Sequence, residues 1–451
     1  MNKKILIFIS LLIISTLFLS GCTSTSKESL LNREGTVDGA RVSWNFNFLR
    51  RLQEKITSWR KISPPADIQP EQPTDQTELV AFNPGLKIMD FNFHNPITNQ
   101  EETITAAVWY PTDAEPKPFV YHDAEDYQSK VALDAPISNK GPYPLVLFSH
   151  GAFGSGYNAA YFLESLARQG YIAIAPDYID TKPPQYEEEI AFSRIKTGKT
   201  FSNLQVLRAA KGFVDDANAD TEFMLSYVEK HRLNHTSFII DQITAFNRDS
   251  SSDFYQAINE EAIGMAGHSL GGLTTLAKTG AYPNKSYTDE RIKTALLFSA
   301  PAHPFENTVN QIDIPIMFMV GDNDEPNYGP KDVPRRAVYD SAVSPKYLLI
   351  IKNSTHFTFG NSGCGETPLY QAVETVPQTN AIVRYGVAFL NKYLKNDLTA
   401  DGQLNKNSSA LAYYIKEETS GQVSEWGKEP TSKTGGSKGG ILIEILKRRF
   451  K

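Results

Sequence analysis

A doubly wound α/β fold with a mostly parallel sheet is predicted by three observations. Short, continuously apolar runs recur at 145–148, 171–175, 262–266, 294–298, 314–320 and 347–351. Helix-compatible segments separate several of them, at 158–169, 213–230, 272–279 and 378–393. The residues suited to chemistry gather just behind the apolar runs. Such runs fit strands covered on both faces, and right-handed crossovers would bring the carboxyl ends of those strands to one edge, where ligands bind in sheets of this kind.

Taken in order, residues 90–94 and 103–110, joined by a polar connection over 95–102, predict an N-terminal antiparallel hairpin at one edge of the sheet. The stretch 180–214 is too long for an ordinary connection of ~2–6 residues. It holds Pro183, Pro184, three consecutive glutamates from Glu187 to Glu189 and the apolar Phe192, Ile195, Phe201, Leu204, Val206 and Leu207. It is expected to form a cap insertion with an apolar wall over the site.

The 451 residues are 41% hydrophobic, 11% aromatic and 21% charged, which describes a folded body and excludes wholesale disorder. A net charge of −6 argues against nucleic-acid binding by a globally basic surface. Two cysteines exclude both a disulfide-dense scaffold and a four-cysteine zinc site, and no metal or cofactor is expected.

Those cysteines differ in meaning. Lys3 and Lys4 precede an apolar run over 5–19, shorter than the ~20 residues that span a bilayer, and Leu19-Ser20-Gly21-Cys22 closes it. The tetrapeptide resembles a bacterial lipobox, which implies cleavage of residues 1–21 and a lipid on Cys22. The expected location is the bacterial cell envelope, membrane-anchored and facing the periplasm or exterior. Residues 22–78 then form an anchored arm. Trp44, Phe48, Leu52, Ile56 and Trp59 recur at helical spacing, and Arg41, Arg50, Arg51, Lys55, Arg60 and Lys61 surround Glu54. A basic amphipathic helix of this kind fits an anionic membrane surface, or the main domain with its basic face in water. Pro64, Pro65, Pro70 and Pro73 mark a linker. The main folded body is assigned to 79–400. Residues 401–451 are read as a polar, partly disordered tail with an apolar and basic end.

Just after the 262–266 run stands Gly267-His268-Ser269-Leu270-Gly271-Gly272. Glycines two residues either side of a serine, at a strand-to-helix junction, form a nucleophile elbow that lifts the hydroxyl above the sheet edge. A serine hydroxyl needs a base, and the base an orienting acid. Of the eight histidines only His303 and His356 follow Ser269, and His356 lies just beyond the 347–351 strand. Three carboxylates follow the 314–320 strand in Gly321-Asp322-Asn323-Asp324-Glu325; Asp324 fits best, with Asp322 and Glu325 as alternatives. Catalysis therefore falls to Ser269, Asp324 and His356. The oxyanion would be met by the backbone N–H of Leu270 and by one from Ser149-His150-Gly151-Ala152-Phe153-Gly154, where Ala152 is preferred, Phe153 is next and His150 braces the loop.

Together with Val108-Trp-Tyr-Pro111 and Gly170-Tyr-Ile-Ala-Ile-Ala-Pro-Asp177, these motifs resemble the α/β-hydrolase superfamily. The similarity is to platelet-activating-factor acetylhydrolase-like and dienelactone-hydrolase-like bacterial serine esterases, and it spans residues 87–395. It implies a carboxylic-ester hydrolase, an esterase or lipase working through an acyl-enzyme, with a small-molecule or lipid ester as substrate and a part in lipid degradation. Vertebrate acetylhydrolases are expected to carry their acid one strand earlier, where this chain has Phe298-Ser-Ala-Pro301. Dienelactone hydrolases would carry cysteine at the nucleophile. A serine peptidase of the same fold, or a non-catalytic envelope lipoprotein built on it, are the other classes compatible with these motifs.

Overall fold

The apolar runs become strands buried on both faces. The computed structural model describes residues 35–37, 40–42, 82–123, 125–178, 193–198, 221–324 and 336–428, and the chain divides into two units, Met1–Gln69 and Pro70–Lys451. In the first unit the described residues form one antiparallel hairpin, β1 (Gly35–Val37) and β2 (Ala40–Val42). Arg41, counted above with a basic helix, lies in β2. The signal segment, Cys22, the rest of the basic helix, the Pro-rich linker and the C-terminal basic end lie outside the described residues.

The second unit is built on twelve strands. In chain order they are β3 (Asn83–Asn95), β4 (Gln100–Thr112), β5 (Lys117–His122), β6 (Asp126–Leu133), β7 (Tyr143–Ser149), β8 (Ile172–Pro176), β9 (Ile258–His268), β10 (Ile292–Phe298), β11 (Ile316–Gly321), β12 (Lys346–Ile351), β13 (Leu411–Thr419) and β14 (Gln422–Gly427). The sheet order is β14-β13-β12-β11-β10-β9-β7-β8-β4-β3-β6-β5. The central block from β12 to β8 is parallel throughout.

Alternation along each strand supplies both faces of the core. Val146, Phe148, Ala173, Ala175, Met317, Met319, Leu349 and Ile351 join one cluster. It is covered by α1 (Ala160–Arg168), α7 (Leu369–Thr375) and α8 (Pro377–Leu394). Their neighbours Leu145, Leu147, Ile172 and Ile174 point the other way, as do Ile316, Phe318, Leu348 and Ile350. That face is covered by α3 (Thr221–Val228), α4 (Asn234–Arg248) and α5 (Leu270–Leu276). Two short helices, α2 (Arg194–Thr197) and α6 (Ala337–Ser341), and the C-terminal α9 (Ala400–Leu404) complete the set described.

Three expectations need correction. The N-terminal hairpin β3/β4 is not at the edge: β4 pairs antiparallel with β8, and β3 is followed by β6 and β5, which form the edge instead. Strand β6 alternates buried and exposed residues, and its polar composition hides that half-buried pattern. The body does not end at residue 400. Strand β13 pairs antiparallel with β12, Leu348 opposite Ile415, and Tyr413, Tyr414 and Ile415 feed both core faces, although Lys416, Glu417 and Glu418 make the segment look polar. The helix expected over 213–230 has its described part at Thr221–Val228, and runs on through a π-helical turn, Glu229–Leu233, into α4.

One buried polar network fastens the β5/β6 edge to α1. Glu164, 2% exposed, accepts from the Tyr121 hydroxyl at 2.7 Å and the Ser129 hydroxyl at 2.8 Å, and Tyr121 accepts from the Trp109 indole at 2.9 Å. Burial pushes the Glu164 carboxyl up to about 7. A folded value above the unfolded one contributes stability that is full below pH 4.5 and is lost as pH rises through about 7. Glu164→Gln keeps an acceptor for Tyr121 and does not titrate. The stability of the wild type relative to this variant, from urea unfolding, should therefore fall by about 3 kcal/mol between acidic and mildly alkaline pH; a difference that stays flat with pH would contradict the buried-acid account.

Candidate active site

Ser269 stands between β9 and α5 with φ 55° and ψ −122°. That left-handed φ is costly for a residue with a side chain and is retained where surrounding structure imposes it. The imposing contacts are visible. The Ser269 N–H donates to Phe298 C=O at 2.9 Å. A Cβ on Gly271 would lie 1.9 Å from the Ser149 carbonyl oxygen, so the first turn of α5 runs directly against the end of β7. Leu270 is the first residue of that helix, and its N–H belongs to the unsatisfied set that a helix presents at its start.

The loops that follow β11 and β12 also approach closely. A Cβ on Gly321 would lie 2.3 Å from the Ser354 carbonyl, and Asn323 N–H donates to that same carbonyl at 2.9 Å. Asp324 is 1% exposed, with an oxygen 3.3 Å from His356 Nδ1. Asp322 turns elsewhere, accepting from Ser354 N–H at 3.1 Å and from the Asn323 side chain at 2.8 Å. Glu325 lies outside the described residues. His356 opens a short 3₁₀ turn, His356–Phe359, held by a reciprocal Thr355 and Thr358 capping box.

Two groups here escaped sequence reasoning. The Ser299 hydroxyl donates to the Asp324 oxygen that faces His356. Ser299 directly follows β10, in the stretch read above only as lacking a carboxylate. His268 is the other. Its Nε2 donates to the His356 carbonyl at 2.9 Å, its Nδ1 lies 3.1 Å from the Asn158 side-chain amide, and its ring centroid is 4.8 Å from that of His356. Burial, reinforced by the neighbouring His356, holds the His268 pKa down to about 3, so it serves as a neutral prop. Position x of a G-x-S-x-G motif carries no sequence signal for such a role.

Ala152 and Phe153 follow β7 on the loop facing the elbow: the nearest atoms to a Cβ on Gly151 would be His268 Nδ1 and Ser269 Cβ, each at 3.2 Å. Phe153 has φ 59°. His150 is the loop's brace: its Nε2 accepts from Tyr178 N–H at 3.2 Å and its Nδ1 donates to Gly151 C=O at 2.8 Å. Cys364, the second cysteine, is buried in the core, and burial pushes its thiol up to about 12. Among the described residues no cluster of His, Cys, Asp and Glu could hold a metal ion. No helix among them is long and apolar enough to cross a membrane.

A parallel central sheet with Ser269 in an elbow after β9, Asp324 after β11 and His356 after β12 has the arrangement of the α/β-hydrolase fold. Within that class, residues 202–420 match the family described as PETase, PET hydrolase-like. That span takes in the elbow, the acid, the histidine and β13. Among solved structures, the chain is similar to a ferulic acid esterase from Streptomyces cinnamoneus, with 17% identity and a TM-score of 0.46 over 76% of this chain and 96% of that one. No curated protein matches the sequence.

The close approach at the elbow predicts a sharp contrast between two glycines. Gly271→Ala should cost about 3 kcal/mol or more of stability, since the added methyl meets backbone on the facing strand. Gly402→Ala, in α9 with nothing within 4 Å, should be neutral or slightly stabilising. Urea unfolding of the two variants checks this, and equal effects would refute the packing described.

Proposed function

We propose that this protein is a serine carboxylic-ester hydrolase that works through an acyl-enzyme on Ser269. The observation that carries the proposal is the Asp324 carboxylate 3.3 Å from His356 Nδ1, behind a serine held in elbow geometry. The similarity to a PET hydrolase-like family favours esters as the substrate class.

In this reading Asp324 accepts the Nδ1–H of His356, fixes its tautomer and stabilises the imidazolium, while Nε2 takes the proton of Ser269. Serine Oγ attacks the ester carbonyl, and the oxyanion is met by the N–H groups of Leu270 and Ala152. Collapse breaks the bond to the alcohol, which leaves with the proton held by His356. Water, deprotonated by His356, then releases the acid and restores Ser269. Ser299 gives Asp324 a second donor besides the imidazole and so helps to hold its carboxylate in place.

The lipobox-like Leu19-Ser20-Gly21-Cys22 supports a lipid-anchored protein of the bacterial cell envelope, acting on small-molecule or lipid esters that reach that surface. Metabolic labelling with a palmitate analogue should mark the wild type and spare Cys22→Ala.

A labelled fluorophosphonate should modify the wild type and not Ser269→Ala; equal labelling would reject the serine. On p-nitrophenyl esters of graded chain length, Asp324→Asn should lower kcat by ~10⁴. Ser299→Ala should lower it about tenfold, by loss of one hydrogen bond to a charged group. No turnover of any ester by the wild type would turn the reading to a non-catalytic lipoprotein.

A further inference from the structure

A peptide unit is planar and trans, so the C=O of one residue and the N–H of the next point in opposite directions from one rigid plane. Whatever grips the carbonyl of Gly151 therefore aims the N–H of Ala152. Carbonyl by carbonyl, the loop after β7 is gripped almost completely. His150 C=O accepts from Arg232 Nη1 at 2.6 Å. Gly151 C=O accepts from His150 Nδ1 at 2.8 Å and from Gly154 N–H at 3.0 Å. Phe153 C=O accepts from Arg194 Nη1, and Gly154 C=O accepts from the same nitrogen at 2.6 Å.

Both guanidiniums are buried, Arg194 at 3% exposure and Arg232 at 0%. Burying such a group is costly unless its charge and its donors are met. Arg194 lies 3.4 Å from the Asp123 carboxylate, which also accepts from the Ser155 hydroxyl at 2.7 Å. Arg232 stacks on the Tyr178 ring at 4.6 Å, beside the N–H that Tyr178 gives to His150. Asp177 fixes the start of α2, accepting from Ile195 N–H at 2.8 Å and from the Ser193 hydroxyl at 3.0 Å, and it also holds Gly156 N–H at 2.7 Å. Two strongly hydrated side chains have thus been spent on main-chain carbonyls of one loop, around a Phe153 in the left-handed region that this loop would not favour unaided.

We propose that Arg194 and Arg232 are positioning residues, which with His150 aim the Ala152 amide at the developing oxyanion. The described part of the insertion after β8 thereby acts on catalysis through Arg194. The inference rests on the ester-hydrolase reading above. Of the cap expected over 180–214 only residues 193–198 are described, and there the buried Arg194 faces the loop's backbone.

The test uses the full-length protein with p-nitrophenyl butyrate as substrate. Phenylboronic acid, which becomes a tetrahedral anion on the serine, serves as the transition-state probe. Arg194→Met should lower kcat per folded molecule about ten- to a hundredfold, less than the ~10²–10³ expected for deleting a donor outright. KM should stay within about twofold, and the boronic acid Ki should rise in step with kcat loss. Arg194→Lys should recover part of the loss, since an ammonium can reach one carbonyl but lacks the planar fork. A merely structural residue would lower the melting temperature and leave kcat per folded molecule and the boronate Ki unchanged, which would overturn the proposal, as would a rise in KM alone. If Arg194→Met does not fold, Arg194→Lys and Arg232→Lys are read by the same criteria. Ser269→Ala separates the two layers: full activity in that variant removes the Ser269 acyl-enzyme reading, whereas an inactive Ser269→Ala beside an unaffected Arg194→Met removes only the positioning role.

Discussion

The approach of α5 to the end of β7 is the constraint on which the carboxyl edge depends. Gly271 lies so near the Ser149 carbonyl that no side chain fits between them. The contact exists because β7 and β9 are direct parallel neighbours, Ser149 opposite Gly267. With those two strand ends locked, the loop carrying Ala152 and the elbow carrying Ser269 share one rigid seam. A second seam, Gly321 against Ser354, does the same for the loops carrying Asp324 and His356. The site is therefore assembled from two pairs of adjacent loops, each pair set by backbone contact rather than by the side chains that would react.

The polar groups around these seams divide into structural and reactive sets. His150 and His268 are both buried, and burial above all drives both pKa values down, so each serves as a neutral donor and acceptor of fixed tautomer. His150 braces its own loop, and His268 supports the backbone of His356. Three histidines thus lie within one small region with different work. Only His356 is set against a buried carboxylate there.

Much of this was legible in the sequence because the signals were local. The six apolar runs each became a strand of the parallel block, since strands covered on both faces read as unbroken hydrophobic stretches. Gly267 to Gly272 declared its turn through spacing, and Asp324 and His356 could be reached by counting strand ends. The rest depends on contacts distant in sequence. Ser299 and Asp324 are 25 residues apart and meet only because β10 and β11 are neighbours. Arg194 and Arg232 look like ordinary surface cations until folding brings them beneath residues 150–154. Strands β5 and β6 mix charge with apolar residues and give no continuous apolar run, although β6 buries alternate side chains, and the charges of β13 made it look like tail although its Leu411 to Ile415 stretch is largely buried between both core faces.

The late position of β13 has a consequence for the order in which the chain can fold. Strand β12, which leads into His356, has only β11 beside it until residues 411–419 arrive to cover its open edge. In a chain that emerges from its amino end, the strand before Ser269 acquires both neighbours once β10 is made, but the strand before His356 waits for nearly sixty further residues. The surroundings of Ser269 can thus be complete while the support of His356 is still missing, so the two halves of the carboxyl edge are finished at different times.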